Sequence, residues 1–171
     1  LEVLAPIAEQ DIPIVGMEPS CMAVWRSDAV ELLPDDARVP VVAGSIHTLA
    51  ELLGSLDDWQ PPSLAGHTIV AQPHCHHASV LGWEADAALL QRTGARVVTL
   101  GGCCGLAGNF GVERGHYEVS VKVAEHDLLP AIRAAGPEAV VLADGFSCRK
   151  QVADLEGSAA VTLAELLVAH L

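Results

Sequence analysis

The stretch RVVTLGGCCG (residues 96–105) runs from a short apolar segment directly into two adjacent cysteines set among glycines. The apolar part has the length and the β-branched composition of a buried strand. Cys103 and Cys104 therefore follow the carboxyl end of a predicted strand. If other strands end in the same way, the cysteines of the chain meet at one edge of a sheet.

Three further apolar runs have the same character, and each is followed by a cysteine. The runs IPIVGM (12–17), HTIVAQ (67–72) and EAVVLA (138–143) precede Cys21, Cys75 and Cys148, respectively. VPVVAG (39–44) predicts a weaker fifth strand, and AAVTL (159–163) predicts an edge strand. The amphipathic stretches between these runs are typical of helices in an α/β protein.

The helices are predicted from periodicity and from their end signals. They fall within residues 45–56 with Ser45 as N-cap, 83–94, 116–136 with a break or kink at Pro130, and 162–171 with Thr162 as N-cap. Residues 57–66 read as a loop, and no internal repeat is convincing enough to use. We therefore predict a single domain over residues 1–171, a Rossmann-like three-layer α/β domain with a mainly parallel sheet.

The five cysteines suit a metal site better than a disulfide framework. Their number is odd, and two of them are neighbours that could pair only in a strained bond. Cysteines that serve only as small core residues are expected on strands and helix faces rather than at strand ends. Because the carboxyl ends of parallel strands share one edge, where such folds bind ligands, we predict a converging set of metal ligands. The set is Cys21, Cys75, Cys103, Cys104 and Cys148.

The residues around the cysteines fit this prediction. Gly101, Gly102 and Gly105 leave room for backbone amides to approach a bound cofactor. Helices expected to begin just after Cys21 and Cys148 would favour the thiolate form, which binds metal. His74, His76 and His77 flank Cys75, and histidines beside a metal are more often supporting donors than ligands. Thiolate ligands permit either zinc or an iron–sulfur cluster.

Composition and charge exclude other classes of function. The chain of 171 residues has a net charge of −13, and its nine basic residues are scattered, which argues against nucleic acid as a partner. No apolar run is long enough for a transmembrane segment, so we expect a cytoplasmic protein. The first residues, LEVLAPIAEQ, read as the tail of a helix or connection, which suggests a domain cut from a longer polypeptide.

The blocks that carry the cysteines resemble a known family. GMEPSC (16–21), QPHCHH (72–77), GGCCGLAGNFG (101–111) and DGFSCRKQV (144–152) resemble, in that order, blocks of the CCG or cysteine-rich domain. This domain occurs in heterodisulfide reductase, in the iron–sulfur subunits of glycolate oxidase and anaerobic glycerol-3-phosphate dehydrogenase, and at the carboxyl end of FAD-linked oxidases of the D-lactate dehydrogenase type. The fused oxidases look closest. The family usually carries two copies of the domain, and this chain holds one, the second.

The resemblance implies an electron-transfer domain with an iron–sulfur cluster, in an FAD-dependent oxidoreductase acting on a 2-hydroxy acid such as D-lactate or glycolate. For the cluster we expect the 4Fe-4S type, with a non-cubane cluster or a zinc site as the alternatives. Its partners are then a flavin-binding part, a ferredoxin-like part and a downstream electron acceptor, and FAD lies outside this chain. This fragment alone lacks the site that oxidises the substrate. Cys75, the Cys103–Cys104 pair and Cys148 match the family motif. Gly145 stands where the motif has a further cysteine, and Cys21 is then the candidate for that thiolate, from another strand end.

The cysteines and histidines also permit two other functions. One is thiol-disulfide or disulfide-reductase chemistry, with adjacent cysteines forming a transient bond. The other is a structural zinc domain that docks subunits. Five convergent thiolates favour iron and sulfide, whereas two or three thiolates with histidine favour zinc.

Overall fold

The computed structural model describes all residues, Leu1–Leu171. The chain divides into two compact units, residues 1–59 with 76–86 (unit 1) and residues 60–75 with 87–171 (unit 2). One boundary between them falls in residues 57–66; the absence of helix and strand from this segment was predicted, but a boundary was not. No helix is both long enough and apolar enough to cross a bilayer.

Unit 1 is mainly helical and contains a two-stranded parallel sheet. Its elements are α1 (Ala5–Ala8), β1 (Ile14–Val15), α2 (Pro19–Ala23), α3 (Ala29–Leu32), α4 (Arg38–Ser45), β2 (Ile46–His47) and α5 (Leu49–Gly54). A π-helical segment, Val24–Asp28, joins α2 to α3, and a second one spans His77–Leu81. The core of this unit consists of Ala5, Ala8, Met22, Val42, Ile46 and Leu81.

Unit 2 contains a four-stranded sheet with the order β4-β3-β5-β6, in which all strands are parallel. The strands are β3 (Thr68–Ala71), β4 (Arg96–Thr99), β5 (Val140–Leu142) and β6 (Ala160–Val161). The helices are α7 (Tyr117–Ala124), α8 (Leu128–Ala135), α9 (Phe146–Glu156) and α10 (Leu163–Val168), while α6 (Glu84–Arg92) continues from residues of unit 1 into unit 2. The prediction of an α/β fold with parallel strands is confirmed.

Two of the predicted ligands belong to the hydrophobic core of unit 2. Cys104 and Cys148 are 2% and 1% exposed, and they pack in one cluster with residues of the strands and of α7, α8 and α9. The other members are Val70, Leu100, Leu106, Ala124, Leu128, Leu129, Val141, Ala143 and Val152. The sheet thus brings these cysteines together inside a region that excludes water.

Two local predictions are wrong in unit 1. Residues 39–44, predicted as a weak strand, belong to helix α4, which buries Val39 and Val42 on one face. Ser45 is the last residue of α4 and not an N-cap; the following helix α5 begins after Thr48, whose hydroxyl accepts from the Glu51 amide. The side chain of Glu51 binds the Thr48 amide in return, so this reciprocal pair fixes the start of the helix.

The helix boundaries near Pro130 and near two of the cysteines also differ from the predictions. The break in residues 116–136 precedes Pro130, which lies in the first turn of α8, where a missing amide proton is tolerated. Cys21 and Cys148 lie inside the first turns of α2 and α9, because these helices begin three residues earlier than expected, at Pro19 and Phe146. Thr162 caps α10 as predicted.

The structure contains an internal repeat that was not predicted from the sequence. Residues 48–53 and 162–167 are identical, TLAELL, and each begins a helix with the same reciprocal Thr–Glu cap. Each follows a two-residue strand, β2 or β6, that pairs in parallel with a strand leading into a Ser-Cys helix. The repeated unit is therefore strand, Ser-Cys helix, strand and TLAELL helix.

The strand registers of the two copies correspond residue by residue. Ile14 pairs with Ile46 and Val15 with His47, as Val141 pairs with Ala160 and Leu142 with Val161. The next hydrogen bond also matches: the Gly16 amide donates to the His47 carbonyl at 3.1 Å, and the Ala143 amide donates to the Val161 carbonyl at 2.8 Å. In this alignment Cys21 is the counterpart of Cys148.

Candidate metal centre

The candidate centre lies between β3 and β5, where the strand order of the sheet in unit 2 reverses. From β3 the chain continues to β4 on one side, and from β5 it continues to β6 on the other side. When the connections after two neighbouring parallel strands run to opposite sides of the sheet, a crevice is expected beyond the carboxyl ends of the strands. Such crevices are where α/β folds bind ligands. The segments after β3 and β5 therefore lie where such folds are expected to bind a ligand.

Four cysteines of unit 2 follow the carboxyl ends of three neighbouring strands. Cys75 follows β3, Cys103 and Cys104 follow β4, and Cys148 follows β5. The Cys75 residue is exposed and Cys103 is partly buried, whereas Cys104 and Cys148 are buried. The set therefore has a buried side and an accessible side.

The thiols of these cysteines contact one another. Cys104 forms side-chain hydrogen bonds with Cys148 and with Cys103, and Cys103 forms one with Cys75. These contacts link all four thiols, although the residues lie far apart in the sequence. Soft sulfur donors grouped in this way, two of them buried, fit a metal or an iron–sulfur cluster.

The electrostatics of the group distinguish one thiol from the others. The hydrogen bond from Cys148 lowers the pKa of Cys104 to about 6, against the effect of burial and with help from the amides of Leu106 and Ala107. Partial exclusion of water raises the pKa of Cys75 to about 11, and the nearby Cys103 adds to this. The hydrogen bond with Cys104, together with burial, raises the pKa of Cys148. Cys104 is therefore the thiol of this group whose pKa is lowered.

The loop after β4 supplies the amides that stabilise these sulfurs. The Gly105 amide donates to the Cys103 Sγ at 3.3 Å, and Leu106 and Ala107 donate to Cys104. Gly105 has a φ of +91°, and a Cβ there would lie 2.3 Å from the Ser120 carbonyl oxygen. The loop can close on α7 only because residue 105 is a glycine.

The other two predicted cofactor-binding glycines have different surroundings. A Cβ at Gly101 would meet no atom within 4 Å, and a Cβ at Gly102 would lie 3.2 Å from the side chain of Asp127. Space beside Gly101 is therefore open, whereas Gly102 is packed. Their role in binding a cofactor stays a prediction.

Two buried glutamines hold the site together, and the sequence reasoning missed both. The Gln72 Nε2 donates to the Gly102 carbonyl at 2.7 Å, and the Gln72 amide donates to the Leu142 carbonyl at 2.8 Å, so this residue ties together the ends of three strands. The Gln151 Nε2, one turn after Cys148, donates to the Ser120 Oγ at 2.8 Å. The available signal for Gln72 was an amide side chain directly after an otherwise apolar strand.

The histidines near Cys75 have separate environments. The ring of His74 packs on Gly145, where a Cβ would lie 2.4 Å from the His74 Cδ2. The His74 imidazole therefore fills the space that a side chain at residue 145 would need, and residue 145 is where the family motif has a cysteine. His77 belongs to unit 1, where its Nε2 lies 3.1 Å from the Asp86 Oδ2, with both residues buried, and its ring packs edge-on against Trp83.

Cys21 lies in unit 1, in the first turn of α2, and is exposed. Glu18 caps that helix, and its carboxylate accepts a hydrogen bond of 2.7 Å from the Ser20 hydroxyl. The prediction that Cys21 joins the other four cysteines as a ligand stays a prediction.

Nearly the whole chain is similar to part of a set of larger enzymes. It is 31% identical over 163 residues to D-2-hydroxyglutarate dehydrogenase of Escherichia coli (strain K12), and 27% identical over 166 residues to the enzyme of the same name from Pantoea ananatis. Each match covers 92% of this chain and 15% of the relative. A third match, from Pseudomonas putida, is 28% identical over 158 residues. No family model and no solved structure matches the chain.

The names of these relatives agree with the class of enzyme that the resemblance implied. They are dehydrogenases named for a 2-hydroxy acid, which is the class of enzyme that the cysteine blocks implied. The chain spans about 15% of the length of the curated relatives it matches.

Proposed function

We propose that this chain is the iron–sulfur electron-transfer part of a flavin-dependent dehydrogenase that acts on a 2-hydroxy acid. The ligands that we propose are the four thiolates of unit 2, namely Cys75, Cys103, Cys104 and Cys148. The observation that carries the proposal is the meeting of these thiols beyond the carboxyl ends of three neighbouring parallel strands. The similarity to D-2-hydroxyglutarate dehydrogenases supports the substrate class.

The residues around the thiols suit an electron carrier. When bound, an iron–sulfur cluster accepts and releases single electrons at a potential set by its ligands, hydrogen bonds and burial. Cys104 and Cys148 hold two of the ligand positions in the apolar core, away from water. The amides of Gly105, Leu106 and Ala107 donate to two of the sulfurs and stabilise their negative charge. Cys75 and Cys103 lie on the accessible side.

The remaining parts of the reaction are assigned by the resemblance. We place FAD, the hydroxy-acid pocket and a ferredoxin-like segment in the polypeptide outside residues 1–171, with an electron acceptor downstream. D-2-hydroxyglutarate is the first substrate to test, because it names the relatives. A cytoplasmic location is part of the same proposal.

The test uses the full-length enzyme purified without oxygen, mixed with D-2-hydroxyglutarate and followed by electron paramagnetic resonance and visible absorption. We expect the substrate to reduce both flavin and iron–sulfur signals. In a Cys103→Ser/Cys104→Ser variant, flavin reduction should persist while one cluster signal disappears. Full iron content and unchanged cluster signals in that variant would contradict the proposal.

Thiol-disulfide chemistry is the second candidate, and the hydrogen bond between Cys104 and Cys148 favours it. A Cys104–Cys148 disulfide would accept two electrons and two protons from the reduced flavin and open to two thiols. The downstream electron acceptor would take the two electrons when the disulfide forms again, with release of the two protons. Peptide mass spectrometry after alkylation distinguishes the candidates. A Cys104–Cys148 disulfide that forms and disappears during turnover of an iron-free enzyme would favour this second function. Stoichiometric zinc would instead favour the structural alternative.

A further inference from the structure

Gln72 directly follows β3, and its buried side chain reaches the loop that carries Cys103. The residue is 1% exposed, and its Nε2 donates to the Gly102 carbonyl at 2.7 Å and to the Pro73 carbonyl at 3.1 Å. Both protons of the side-chain amide are thus used. The reversed orientation would place Oε1 against two carbonyl oxygens, so these two contacts fix the direction of the amide group.

The remaining polar atom of the Gln72 side chain has no partner. Its Oε1 is buried and accepts no hydrogen bond. An unpaired buried acceptor costs stability, so glutamine is not an ideal core residue at this position. The contribution of Gln72 therefore comes from the two hydrogen bonds that its side chain donates.

The peptide group between Gly102 and Cys103 is what Gln72 holds. The carbonyl oxygen of this group accepts the shorter of the two bonds, and the protein has no cis peptide bond. In a planar trans peptide the N–H points opposite to the C=O, so the Cys103 amide faces away from Gln72. Because a glycine at residue 102 restricts ψ very little, this peptide could rotate if its carbonyl were not bound. Gln72 thus sets the direction of the Cys103 amide.

The Cys103 amide belongs to a loop whose other amides already donate to sulfur. The Gly105 amide donates to the Cys103 Sγ at 3.3 Å. The two amides that follow, those of Leu106 and Ala107, donate to Cys104. The Cys103 amide itself donates to no backbone carbonyl. It is therefore available to a group that the thiols bind.

We propose that Gln72 is a positioning residue for electron transfer, which holds the Cys103 amide toward the group bound by the four thiolates. This inference rests on the proposed function and deepens it. A hydrogen bond to sulfur in an iron–sulfur cluster stabilises the reduced, more negative state, and so raises the reduction potential. Gln72 raises the potential of the site in this way, through one peptide group.

The first test is a redox titration of the full-length enzyme, purified without oxygen and followed by electron paramagnetic resonance. Gln72→Leu keeps a side chain of similar size but removes both donated hydrogen bonds. We expect this variant to retain its iron and to have a more negative potential. At the midpoint potential of the unmodified enzyme, the ratio of reduced to oxidised cluster should fall at least about threefold.

Two results of this titration would overturn the inference. One is an unchanged potential in a Gln72→Leu variant that keeps its full iron content. The other is the loss of most of the iron, because Gln72 would then hold the cluster in place instead of orienting one amide.

Thr93→Val is the matched control for lost hydrogen bonds. Thr93 is also buried in unit 2, and its Oγ1 donates to the Leu90 carbonyl at 2.6 Å and accepts from the Ala95 amide at 3.3 Å. These bonds precede β4, at the amino end of the sheet and away from the cysteines. The potential of this variant should not change. An equal shift in both variants would overturn the inference, since the potential would then respond to lost stability alone.

The second test needs no variant. Hydrogen–deuterium exchange, with fragmentation that resolves single amides, compares the iron-loaded and iron-free forms of the full-length protein. We expect the Cys103 amide to exchange at least about tenfold more slowly in the loaded form. Equal exchange in both forms would overturn the role of Gln72 and leave the proposed function intact. A protein that binds no iron would contradict the proposed function and, with it, this inference.

Discussion

The two Ser-Cys helices of this protein follow equivalent strands, yet their cysteines have different surroundings. Cys148 is 1% exposed and forms a hydrogen bond with Cys104, whereas Cys21 is exposed in the first turn of α2. In unit 2 the strands β3 and β4 bring three more cysteines to the same edge. The comparison teaches that a cysteine after a strand is a candidate ligand only where neighbouring strands place further cysteines beside it.

The same comparison shows how equivalent backbones are packed with different side chains. A Cβ at Gly16 would lie 2.1 Å from the Met22 Cγ, so the methionine fills the space beside β1. At the equivalent position unit 2 has Ala143, and the counterpart of Met22 is Arg149, whose Nη1 donates to the Ala143 carbonyl at 3.1 Å. A buried apolar chain in one copy is replaced by an arginine bound to carbonyl groups in the other.

The largest expected difference between the copies concerns iron. Cys148→Ser should lower the iron content by more than about tenfold, because it removes a ligand from the core of the site. Cys21→Ser should leave the iron content unchanged if its helix belongs to a separate copy of the fold. Iron and acid-labile sulfide analysis of both variants, with circular dichroism as the folding control, measures this. Equal loss in both variants would show that Cys21 belongs to the same site, as the sequence predicted.

The second prediction concerns the cysteine loop, which has no counterpart in residues 1–59. Gly105→Ala should lower the free energy of unfolding by about 2–4 kcal/mol, since it combines a positive φ with a collision against the Ser120 carbonyl. Gly108→Ala is the control, because it has a φ of +69° but no atom within 4 Å of the added Cβ. It should lose only about 1–2 kcal/mol. Equal losses in urea unfolding would mean that contact with Ser120 is unimportant.

The third prediction addresses packing beside β1. Gly16→Ala should destabilise the protein by about 1–3 kcal/mol, because Met22 occupies the space that the methyl group needs. Met22→Ala leaves a cavity, and the double variant should be more stable than the sum of the two single losses implies. Thermal unfolding of the four proteins gives the coupling. Strict additivity would contradict the packing that we describe.

The smallest expected effect separates the two TLAELL helices at acidic pH. Burial would raise the pKa of Glu51, but hydrogen bonds from Arg26 and Thr48 outweigh it and lower the pKa, whereas Thr162 alone accounts for most of the lowered pKa of Glu165. A lowered carboxyl pKa gives stability that is present near neutral pH and is lost as the pH falls below about 4. Unfolding of Glu51→Gln and Glu165→Gln at pH 7 and pH 3 measures this loss.

We expect Glu51→Gln to lose about 0.5–1 kcal/mol at pH 7, since the partly exposed pair with Arg26 is screened by solvent. The difference from the unmodified protein should shrink at pH 3, where the carboxyl group is protonated. Glu165→Gln should show the smaller effect at pH 7. A larger loss of stability in Glu165→Gln than in Glu51→Gln at pH 7 would contradict the stronger role that we give to Glu51.

Much of the sheet in unit 2 could be predicted from the sequence, because its strands are apolar runs that differ clearly from the amphipathic segments between them. The placement of the cysteines after those strands followed from the same pattern. Residues 39–44 were misassigned because their valines suit a strand locally, whereas the packing of Val39 and Val42 favours helix α4.

Other features depend on contacts between residues far apart in the sequence. The TLAELL repeat is visible in the sequence, but its meaning required the strand registers of β1 with β2 and of β5 with β6. The bonds of Gln72 to Gly102, and the position of the His74 ring against Gly145, could not be inferred from local patterns. Such contacts are set by tertiary packing.

The measurement that tests the central claim most directly is the iron and acid-labile sulfide content of the protein purified without oxygen, together with its visible spectrum. Our account predicts iron and sulfide with a broad absorption band near ~400 nm, both lost in a Cys103→Ser/Cys104→Ser variant. Stoichiometric zinc, or a colourless protein that stays free of iron after anaerobic reconstitution, would contradict it.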